Sequence, residues 1–478
     1  MTNRLRFKLL TDDEVGVMYD KCVEFLSSKG WIKIENHPQA LKMLDKAGAQ
    51  VDIDNKQVRF PKDIIEEALR TVPRSFTLAG GGDHHDLILP NPDGQFYVRG
   101  VSGLKDYCDP DSNTYRDSTL ADVAEWAQLV EALNEIDICM YLTATDMPTE
   151  TADIHGLKTL FENTSKQITV QPFSVGSVGY LLQLAQAAAG GAEALKKKPI
   201  INMFCCPLVP FVIKDMDMEV IIQCSRLGVP ISANPLPNTG GTSPITVAGT
   251  VLQSGIEILA VIVMSQLINP GAPVVGQPNF YTIDMASGRC LSANAETHLG
   301  SAAGAQFIKD AFHIPTHTWA FGSDSYIPDG QSGIEKALGG LLVAGGGADI
   351  LAGAGFLNAG KAASPVQLVI DDTIIRIIRR NIAGVKVDED TMAFQEILNT
   401  APGDHYLDRA HTLQHCRDNL RVELFASNSY EAWEAEGRKD LRTRATDKYK
   451  ELKKQFKPMD LSADIKKELD RIVSEADQ

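Results

Sequence analysis

The stretch that decides the fold is residues 316–336, THTWAFGSDSYIPDGQSGIEK. Its first six residues, THTWAF, are β-branched and aromatic, and such a run predicts a short buried strand. The strand stops at Gly322, and the polar loop SDSYIPDGQ that follows contains carboxylates, an aromatic ring and turn residues. A helix is predicted from Gln331 onward. A strand that leads into a polar, aromatic loop and then a helix is how a βα-barrel presents chemistry at its C-terminal face.

The same alternation recurs through residues 117–385. Apolar runs of strand length predict strands near residues 136–142, 168–173, 199–205, 229–234, 273–277, 316–321, 349–354 and 366–370. Amphipathic helices are predicted between and after them. Parallel strands require crossover helices, so eight strands at a spacing of ~30 residues predict a TIM (β/α)8 barrel. A doubly wound sheet would carry a glycine-rich loop after its first strand, and the sequence DMPTE at 146–150 is nothing of that kind.

Two flanking regions complete the predicted organisation. Residues 1–116 predict an N-terminal α+β cap, with a first helix capped at Thr11, a small hairpin, and strand-and-turn material. Residues 386–478 are helical and highly charged, and they predict a helical C-terminal extension. Within it His411 and His415 have the i,i+4 spacing at which two imidazoles can share one helix face as metal ligands. No third ligand is evident nearby in the sequence, so we expect these histidines to pack or hydrogen-bond, and we predict no metal.

Composition narrows the class of protein. With 478 residues, 44% hydrophobic and 23% charged, the chain has the composition of a globular enzyme. Its net charge of -16 argues against a nucleic-acid partner, because phosphate binding needs a basic surface. We find no signal-peptide core and no run of the ~18 apolar residues that a membrane span needs. The eight cysteines are expected to be reduced thiols, so we expect a cytoplasmic protein without a membrane partner.

Residues just past the predicted strand ends are mostly aromatic or neutral-polar, with a few acids. Lys361 is the one lysine there that could form a Schiff base, and the first predicted strand has no metal-type cluster of histidines or carboxylates. This composition suits a cation held by aromatic ring faces with a carboxylate nearby. Quaternary ammonium groups are the known ligands of such aromatic cages.

Several longer runs resemble one family. They are VRFPKDIIEEALRTVPRSFTLAG (58–80), FGSDSYIPDGQSGIEKALGGLLVAGGGADILAGAGFL (321–357), SPVQLVIDDTIIRIIRR (364–380), GDHYLDRAHTLQHCRDNL (403–420) and SYEAW (429–433). Together they resemble the trimethylamine methyltransferase superfamily, and more closely its members that lack pyrrolysine. The resemblance spans nearly the whole chain and is specific to the superfamily but not to a substrate.

The resemblance implies a TIM-barrel enzyme that moves a methyl group from an amine to the Co(I) corrinoid of a separate cognate protein, with no cofactor bound tightly by this chain. In the founding members pyrrolysine follows the sixth strand, in the loop that corresponds to residues 323–326, with Tyr326 closest to the equivalent position. Relatives without pyrrolysine demethylate quaternary amines. The implied substrates are glycine betaine and proline betaine first, then carnitine and γ-butyrobetaine. A homo-oligomer is also expected.

We divide the predicted site into three tasks. Ring faces for the ammonium are expected from Trp319, Phe321, Tyr326, Phe280 and Phe356. Charge balance is expected from Asp324 or Asp329, which with Tyr326 form the predicted catalytic set. Neutral donors for a betaine carboxylate are expected from Gln277, Gln331, Asn234 and His317. Because a quaternary nitrogen already makes the amine a tolerable leaving group, the enzyme mainly has to point one methyl at cobalt.

Two other classes of protein stay open at this point. One is a non-catalytic protein of the same fold that binds a betaine as a sensor. The other is a different barrel enzyme, a lyase or aldolase, which would have to use Lys361 or the Asp324 and Asp329 pair.

Overall fold

The computed structural model describes residues 5–81, 85–101 and 103–478. The N-terminal region consists of α1 (Asp12–Glu24, continued by a π-helical turn, Phe25–Lys29), β1 (Ile32–Ile34), α2 (Pro38–Lys46), β2 (Gln50–Asp52), β3 (Gln57–Arg59), α3 (Lys62–Thr71), β4 (Phe76–Leu78) and β5 (Leu87–Leu89). The predicted cap of the first helix is confirmed, because the Thr11 side chain accepts a hydrogen bond from the Glu14 N–H and Glu14 returns one. The predicted hairpin is the antiparallel pair of β2 and β3.

Strands and helices then alternate through residue 382. In chain order they are β6 (Tyr97–Gly100), β7 (Asp106–Cys108), β8 (Tyr115–Asp117), α4 (Leu120–Ala132), β9 (Ile138–Cys139), α5 (Ala152–Asn163), β10 (Gln167–Val170), α6 (Val175–Ala189), α7 (Ala192–Lys197), β11 (Ile201–Cys205), β12 (Val212–Ile213), α8 (Asp215–Leu227), β13 (Ile231–Ala233), β14 (Asn238–Thr239), α9 (Val247–Ile268), β15 (Val274–Gly276), β16 (Tyr281–Ile283), β17 (Cys290–Leu291), α10 (Ala295–Phe312), β18 (His317–Trp319), α11 (Gly330–Gly345), β19 (Ile350–Ala354), β20 (Phe356–Leu357), β21 (Ala362–Ala363) and α12 (Pro365–Ile382).

Eight of these strands form one parallel sheet in the order β15-β13-β11-β10-β9-β6-β19-β18. A bridge between Gly276 and Thr316 joins its two ends. Each barrel strand is followed by an outer helix, in turn α4, α5, α6, α8, α9, α10, α11 and α12. The predicted TIM (β/α)8 fold is therefore confirmed.

One predicted strand is wrong, and one barrel strand is missing from the prediction. Residues 366–370 are helical, because Ser364 caps α12 and Pro365 takes its first turn, where a missing N–H costs nothing. The missing strand is β6, which lies within the residues assigned to the N-terminal cap. It has only four residues, and Arg99 and Gly100 leave it little apolar signal. β18 is consequently the seventh barrel strand in chain order, not the sixth.

Segments that follow the barrel strands build two small sheets at the C-terminal end of the barrel. One contains β14, β16 and β17, and the other contains β20, β21, β7 and β8. The opposite end is closed by the hairpin of β4 and β5. Its three leucines pack against inward-facing residues of three barrel strands: Leu78, Leu87 and Leu89 against Ile138, Val275 and Ile350. We call the other end of the barrel, at the C-terminal ends of the strands, the mouth.

The C-terminal region consists of short helices and two longer ones: α13 (Glu389–Met392), α14 (Phe394–Leu398), α15 (Ala410–His415), α16 (Tyr430–Ala435), α17 (Leu441–Lys453) and α18 (Ala463–Ala476). Helix α17 packs against α4 and α12, and α18 packs against α5 and α6. The buried Tyr449 of α17 donates a hydrogen bond to Glu125 of α4. The end of the chain thus stabilises the outer helical layer of the barrel.

Among the described helices, α9 is long and apolar enough to cross a membrane. Most of its apolar window is buried inside the protein, where it packs against α3, α8 and α10. This is the environment of a core helix.

Candidate active site at the mouth of the barrel

Strand register places Arg99 and Trp319 at one level inside the barrel. Ala352 of β19 is the register partner of Trp319 on β18 and of Arg99 on β6. Partner residues in a parallel sheet point to the same face, and here that face is the barrel interior.

A second group of polar side chains from inward-facing strand positions bonds mainly within itself. Asn202 accepts hydrogen bonds from Gln167 Nε2 at 3.0 Å and Thr169 Oγ1 at 2.8 Å, and donates one to Ser232 Oγ at 2.7 Å. These bonds satisfy most of the polar atoms of the group, and Gln167 Oε1 is left without a partner among the described residues.

Arg99 is the largest charged side chain in the interior, and its exposed fraction is 0%. Its Nε donates to His317 Nε2 at 3.0 Å, and its Nη1 donates to the Gly100 carbonyl at 3.0 Å and approaches Met140 Sδ at 3.5 Å. Its Nη2 has no hydrogen-bond partner. Within residues 5–81, 85–101 and 103–478, no carboxylate forms an ion pair with this guanidinium.

The titratable groups around Arg99 are neutral at pH 7. Burial lowers the pKa of Arg99 to about 9, so the guanidinium stays charged. Burial, together with the neighbouring Arg99, keeps the pKa of His317 well below its usual range, so this imidazole is neutral and accepts through Nε2. Burial also raises the pKa of Tyr281 above its ordinary value and that of the Cys206 thiol to about 12. Among the described residues, the positive charge of Arg99 is therefore uncompensated.

Aromatic rings lie next to this charge. The Trp319 ring centroid is 4.7 Å from that of Phe356 and 6.2 Å from that of Tyr281. The Arg99 guanidinium carbon lies 5.5 Å from the Trp319 ring and 5.3 Å from the Phe204 ring. We call Trp319, Phe356 and Tyr281 the ring cluster. Trp319 Nε1 is buried without a hydrogen-bond partner.

Of the predicted neutral donors, His317 and Gln277 have free capacity: His317 Nδ1 is buried without a hydrogen-bond partner among the described residues, and so is the Gln277 amide. Gln277 directly follows the residue of β15 that is bridged to Thr316, and it is fully buried. Both atoms of its side-chain amide lack a hydrogen-bond partner among the described residues. Asn234, in contrast, accepts from Asn279 Nδ2 at 2.7 Å and approaches Cys206 Sγ at 3.3 Å.

Two predicted ring residues point towards the outer helices. A Cβ placed on Gly340 of α11 would lie 2.5 Å from the Phe321 ring, and one on Gly300 of α10 would lie 2.4 Å from the Phe280 ring. Each ring thus fills the space left by a helix glycine. The structure does not bring Phe321 or Phe280 to the ring cluster.

The loop after β18 is tightly held. Asp324 is half-buried and accepts from the Ser292 N–H at 2.8 Å and hydroxyl at 3.1 Å, and from the Ala293 N–H at 3.3 Å. Burial raises its pKa from the ordinary value despite these bonds. Tyr326 is 54% exposed at the rim, with the Arg289 guanidinium 5.3 Å from its ring. Asp324 therefore belongs to the wall of the mouth and Tyr326 to its rim.

Asp329 and Gln331 lie at the start of α11. Asp329 is its N-cap: the carboxylate accepts from the Ser332 N–H at 3.0 Å and from the Ser325 hydroxyl at 3.0 Å. Gln331 is exposed and donates to Glu335 Oε1 at 2.8 Å. These contacts give both residues roles in the helix and its preceding loop.

The histidine pair of the C-terminal region has a third neighbour. Asp390 joins His411 and His415, and the candidate ligand atoms lie within 4.8 Å of one another. Asp390 comes from α13, 21 residues before His411, which is why the sequence did not reveal it. The Asp418 carboxylate lies 2.6 Å from His415 Nδ1, and this hydrogen bond, together with Asp390, raises the pKa of His415. Hydrogen bonds and ion pairing account for this cluster.

Comparison with known proteins identifies the family. The family model described as trimethylamine methyltransferase (MTTB) matches residues 1–477. The chain belongs to the trimethylamine methyltransferase family. Trimethylamine methyltransferase MttB of Desulfitobacterium hafniense (strain DSM 10664 / DCB-2) is 30% identical over 472 residues, which cover 98% of this chain and 93% of that protein. A glycine betaine methyltransferase of D. hafniense (strain Y51) is 25% identical over 475 residues, covering 98% of this chain and 97% of that protein.

A solved structure with a similar fold supports the barrel architecture of this methyltransferase. The crystal structure of the Methanosarcina barkeri monomethylamine methyltransferase, MtmB, has a TM-score of 0.53 and 11% sequence identity, and the match covers 93% of each chain. At this identity the likeness concerns the fold alone.

Sequence reasoning missed two members of the methyltransferase's candidate site, Arg99 and Tyr281. Arg99 could have been found as the one charge within the run FYVRGV, where strand alternation would bury it. Tyr281 follows the sixth barrel strand, β15, and its role was not predictable because a loop sequence does not show which rings meet.

Proposed function

We propose that this methyltransferase takes a methyl group from a quaternary amine and transfers it to the Co(I) corrinoid of a separate corrinoid protein. Glycine betaine and proline betaine are the first candidates, ahead of carnitine and γ-butyrobetaine. The observation that carries the proposal is the ring cluster at the mouth, where Trp319 lies 4.7 Å from Phe356 and 6.2 Å from Tyr281. A quaternary ammonium has no N–H to donate, and ring faces attract its charge without needing one.

The chemistry needs little from the protein beyond position and charge. The N–CH3 bond breaks, its electron pair stays on nitrogen, and a neutral tertiary amine leaves. The new bond to the methyl carbon takes both its electrons from Co(I), so no proton has to move. Because positive charge on nitrogen falls in the transition state, a direct ion pair would stabilise the substrate more than the transition state. Rings can fix the ammonium with a weaker field and point one methyl out of the mouth.

The loop residues have supporting parts in this proposal. Asp324 provides the balancing charge from the wall, and it lies close enough to Tyr281 to contribute to the raised pKa of that phenol. Tyr326, at the rim, faces the approach of the corrinoid protein. Every residue of the loop is a standard amino acid. That supports a substrate whose nitrogen is already quaternary over trimethylamine.

We further propose that the protein works in the cytoplasm as a homo-oligomer and binds its corrinoid partner at the mouth. The net charge of -16 favours a partner with a complementary basic surface. Neither nucleic acid nor a membrane is part of the proposed activity.

A methyl-transfer assay tests the function. The purified enzyme is mixed with a corrinoid protein in the Co(I) state and with one amine at a time, and the loss of Co(I) absorbance is followed. Turnover of a betaine but not of trimethylamine is expected. Turnover of trimethylamine alone would overturn the proposed substrate class. Calorimetric binding of a betaine without any transfer would instead indicate the non-catalytic betaine-binding protein.

A further inference from the structure

Among the described residues, the charge of Arg99 has no ion-pair partner, and that is unusual. A buried guanidinium without a counter-ion is costly, and buried charges are normally paired. The ionisable side chains facing it are His317, Tyr281 and Cys206, and all three are neutral at pH 7. Arginine cannot easily escape the cost by losing its proton. An anionic ligand would provide the missing charge.

The guanidinium is held so that one end stays available. Nε is bound to His317 and Nη1 to the Gly100 carbonyl, whereas Nη2 is buried and unpartnered. The rings of Phe204 and Trp319, at 5.3 and 5.5 Å, prevent the side chain from swinging away. A guanidinium that is fixed through Nε and Nη1 and free at Nη2 is positioned to bind an anionic group.

Further donors without partners among the described residues lie nearby, and one of them is Nδ1 of His317, whose Nε2 accepts from Arg99. Trp319 Nε1 is at the same strand level as Arg99, through their shared register partner Ala352. Gln277 follows the bridge that brings β15 to β18, so it lies next to His317 on the interior wall. Its amide has no partner among the described residues, and it can donate through Nε2. One positive charge with neutral N–H donors around it matches a single carboxylate better than a doubly charged phosphate.

We propose that Arg99, with Trp319 Nε1 and Gln277, forms the binding site for the substrate's carboxylate. This inference rests on the proposed function and restricts it: the substrate must be a zwitterion with a short spacer. Its carboxylate binds to Arg99 in the interior, and its ammonium lies against the ring cluster beside it. The anion also offsets the repulsion between Arg99 and the substrate's cation. Amines without an acid group leave Arg99 uncompensated and are rejected.

The test compares ligands that differ only at the acid group. Glycine betaine, its methyl ester, choline and tetramethylammonium are titrated calorimetrically into wild type and Arg99→Gln. The Arg99→Gln substitution should weaken glycine betaine binding by at least about 30-fold, as expected for removing one partner of a buried charge pair. Binding of tetramethylammonium and of the ester should be unchanged or stronger, because a like charge has been removed. Loss of every ligand alike, or retention of the betaine preference, would overturn the assignment.

Two controls separate the charge from the fold. Arg380→Gln removes the same charge from the exposed outer face of α12 and should leave the dissociation constant for betaine unchanged. Arg99→Lys keeps the positive charge but lacks the planar guanidinium that can donate two parallel hydrogen bonds to a carboxylate. The affinity of this variant for betaine should therefore lie between those of wild type and Arg99→Gln. An affinity for Arg99→Lys no better than for Arg99→Gln, in a protein of native circular dichroism, would show a purely structural role.

The design also separates this inference from the proposed function. If wild type transfers methyl groups from betaine and Arg99→Gln does so with an unchanged KM, the Arg99 assignment fails while the function stands. If wild type transfers from none of the amines, binding of N,N-dimethylglycine is compared with that of 2-dimethylaminoethanol. A carboxylate preference that Arg99→Gln abolishes would then support the anion site although the proposed reaction had failed.

Discussion

Two buried polar regions on neighbouring barrel strands differ in whether their charged groups are paired. Between β18, β19 and their helices, the fully buried Lys336 donates to Asp371 Oδ2 at 2.8 Å and to the Phe321 carbonyl at 2.7 Å. Asp371 also accepts from the Gly355 N–H and from Gln367. In the barrel interior, considering the part of the chain that the structure describes, the equally buried Arg99 has no counter-ion, and the side-chain amide of Gln277 and Trp319 Nε1 have no hydrogen-bond partners.

The difference distinguishes stability from binding. A network whose groups satisfy one another fixes the backbone around it, here the segments on either side of the mouth. A cluster of unsatisfied groups destabilises the free protein and is tolerated where a ligand completes it. We therefore expect substitutions in the outer network to change the free energy of unfolding, and substitutions in the interior to change ligand affinity.

The largest effect is expected from breaking the outer network. Lys336→Met leaves the Asp371 carboxylate buried and unpaired, which should lower the free energy of unfolding by ~3–5 kcal/mol. Urea denaturation followed by circular dichroism measures it. Lys62→Met is the matched control: Lys62 is exposed, 3.6 Å from Glu66, so its loss should cost at most ~1 kcal/mol. Equal losses in the two variants would remove the distinction between the regions.

A third buried group, Glu257, tests whether a buried ionisable side chain avoids the cost of an unpaired charge by staying protonated. Glu257 of α9 accepts from the Phe211 N–H at 2.8 Å, its other oxygen has no partner, and burial raises its pKa to about 8. Between its unfolded pKa near 4.5 and pH 8, the unfolded chain releases this proton and the folded chain keeps it. Stability should therefore fall as pH rises, and Glu257→Gln should remove about 3 kcal/mol of that fall between pH 5 and 7.5. Parallel stability curves for the two proteins would contradict the prediction.

Ring substitutions come next and should affect affinity. Trp319→Ala removes the ring that contacts both other members of the cluster. The loss of ~0.5–2 kcal/mol of cation–π energy should raise the KM for betaine roughly 2- to 30-fold. Tyr326→Ala should have a smaller effect, since that ring is 54% exposed at the rim. Steady-state transfer kinetics measure both. Trp319→Phe keeps a ring face but lacks the Nε1 donor, so its KM should lie between those of wild type and Trp319→Ala. Wild-type kinetics in both alanine variants would exclude these residues from the site.

The cap of α11 separates structure from catalysis at Asp329. Asp329→Ala should lower the free energy of unfolding by ~1 kcal/mol through loss of the N-cap. Asp329→Asn can still cap the helix but has no charge. If the asparagine variant restores stability and retains methyl transfer, the carboxylate acts as a cap. If it is stable but inactive, the predicted catalytic role holds.

The smallest stability change is expected at Arg99 itself. Arg99→Met removes an unpaired buried charge, so the free energy of unfolding should stay within ~1 kcal/mol of wild type or rise. Thermal denaturation without ligand measures it. A loss as large as that of Lys336→Met would mean that Arg99 has a stabilising partner after all.

The sequence by itself determined the general architecture and the character of the site. Long helices with clear periodicity and apolar runs of strand length are local signals, so the βα alternation and seven of the eight barrel strands were predictable. The loop at 322–329 was also placed correctly, because the strand and helix next to it are clear in the sequence. The neutral, aromatic character of the strand ends and the family resemblance pointed to a cation-binding methyltransferase.

Tertiary structure alone decided which side chains meet. Barrel closure fixes the register, and register sets which alternate residues face inward, so Arg99 comes level with Trp319 although 220 positions separate them. The same constraint turns Phe321 and Phe280 towards helix glycines and leaves Trp319 and Phe356 together. Whether a buried charge has a partner depends on the three-dimensional neighbourhood. The uncompensated charge on Arg99 therefore became visible only in the folded barrel.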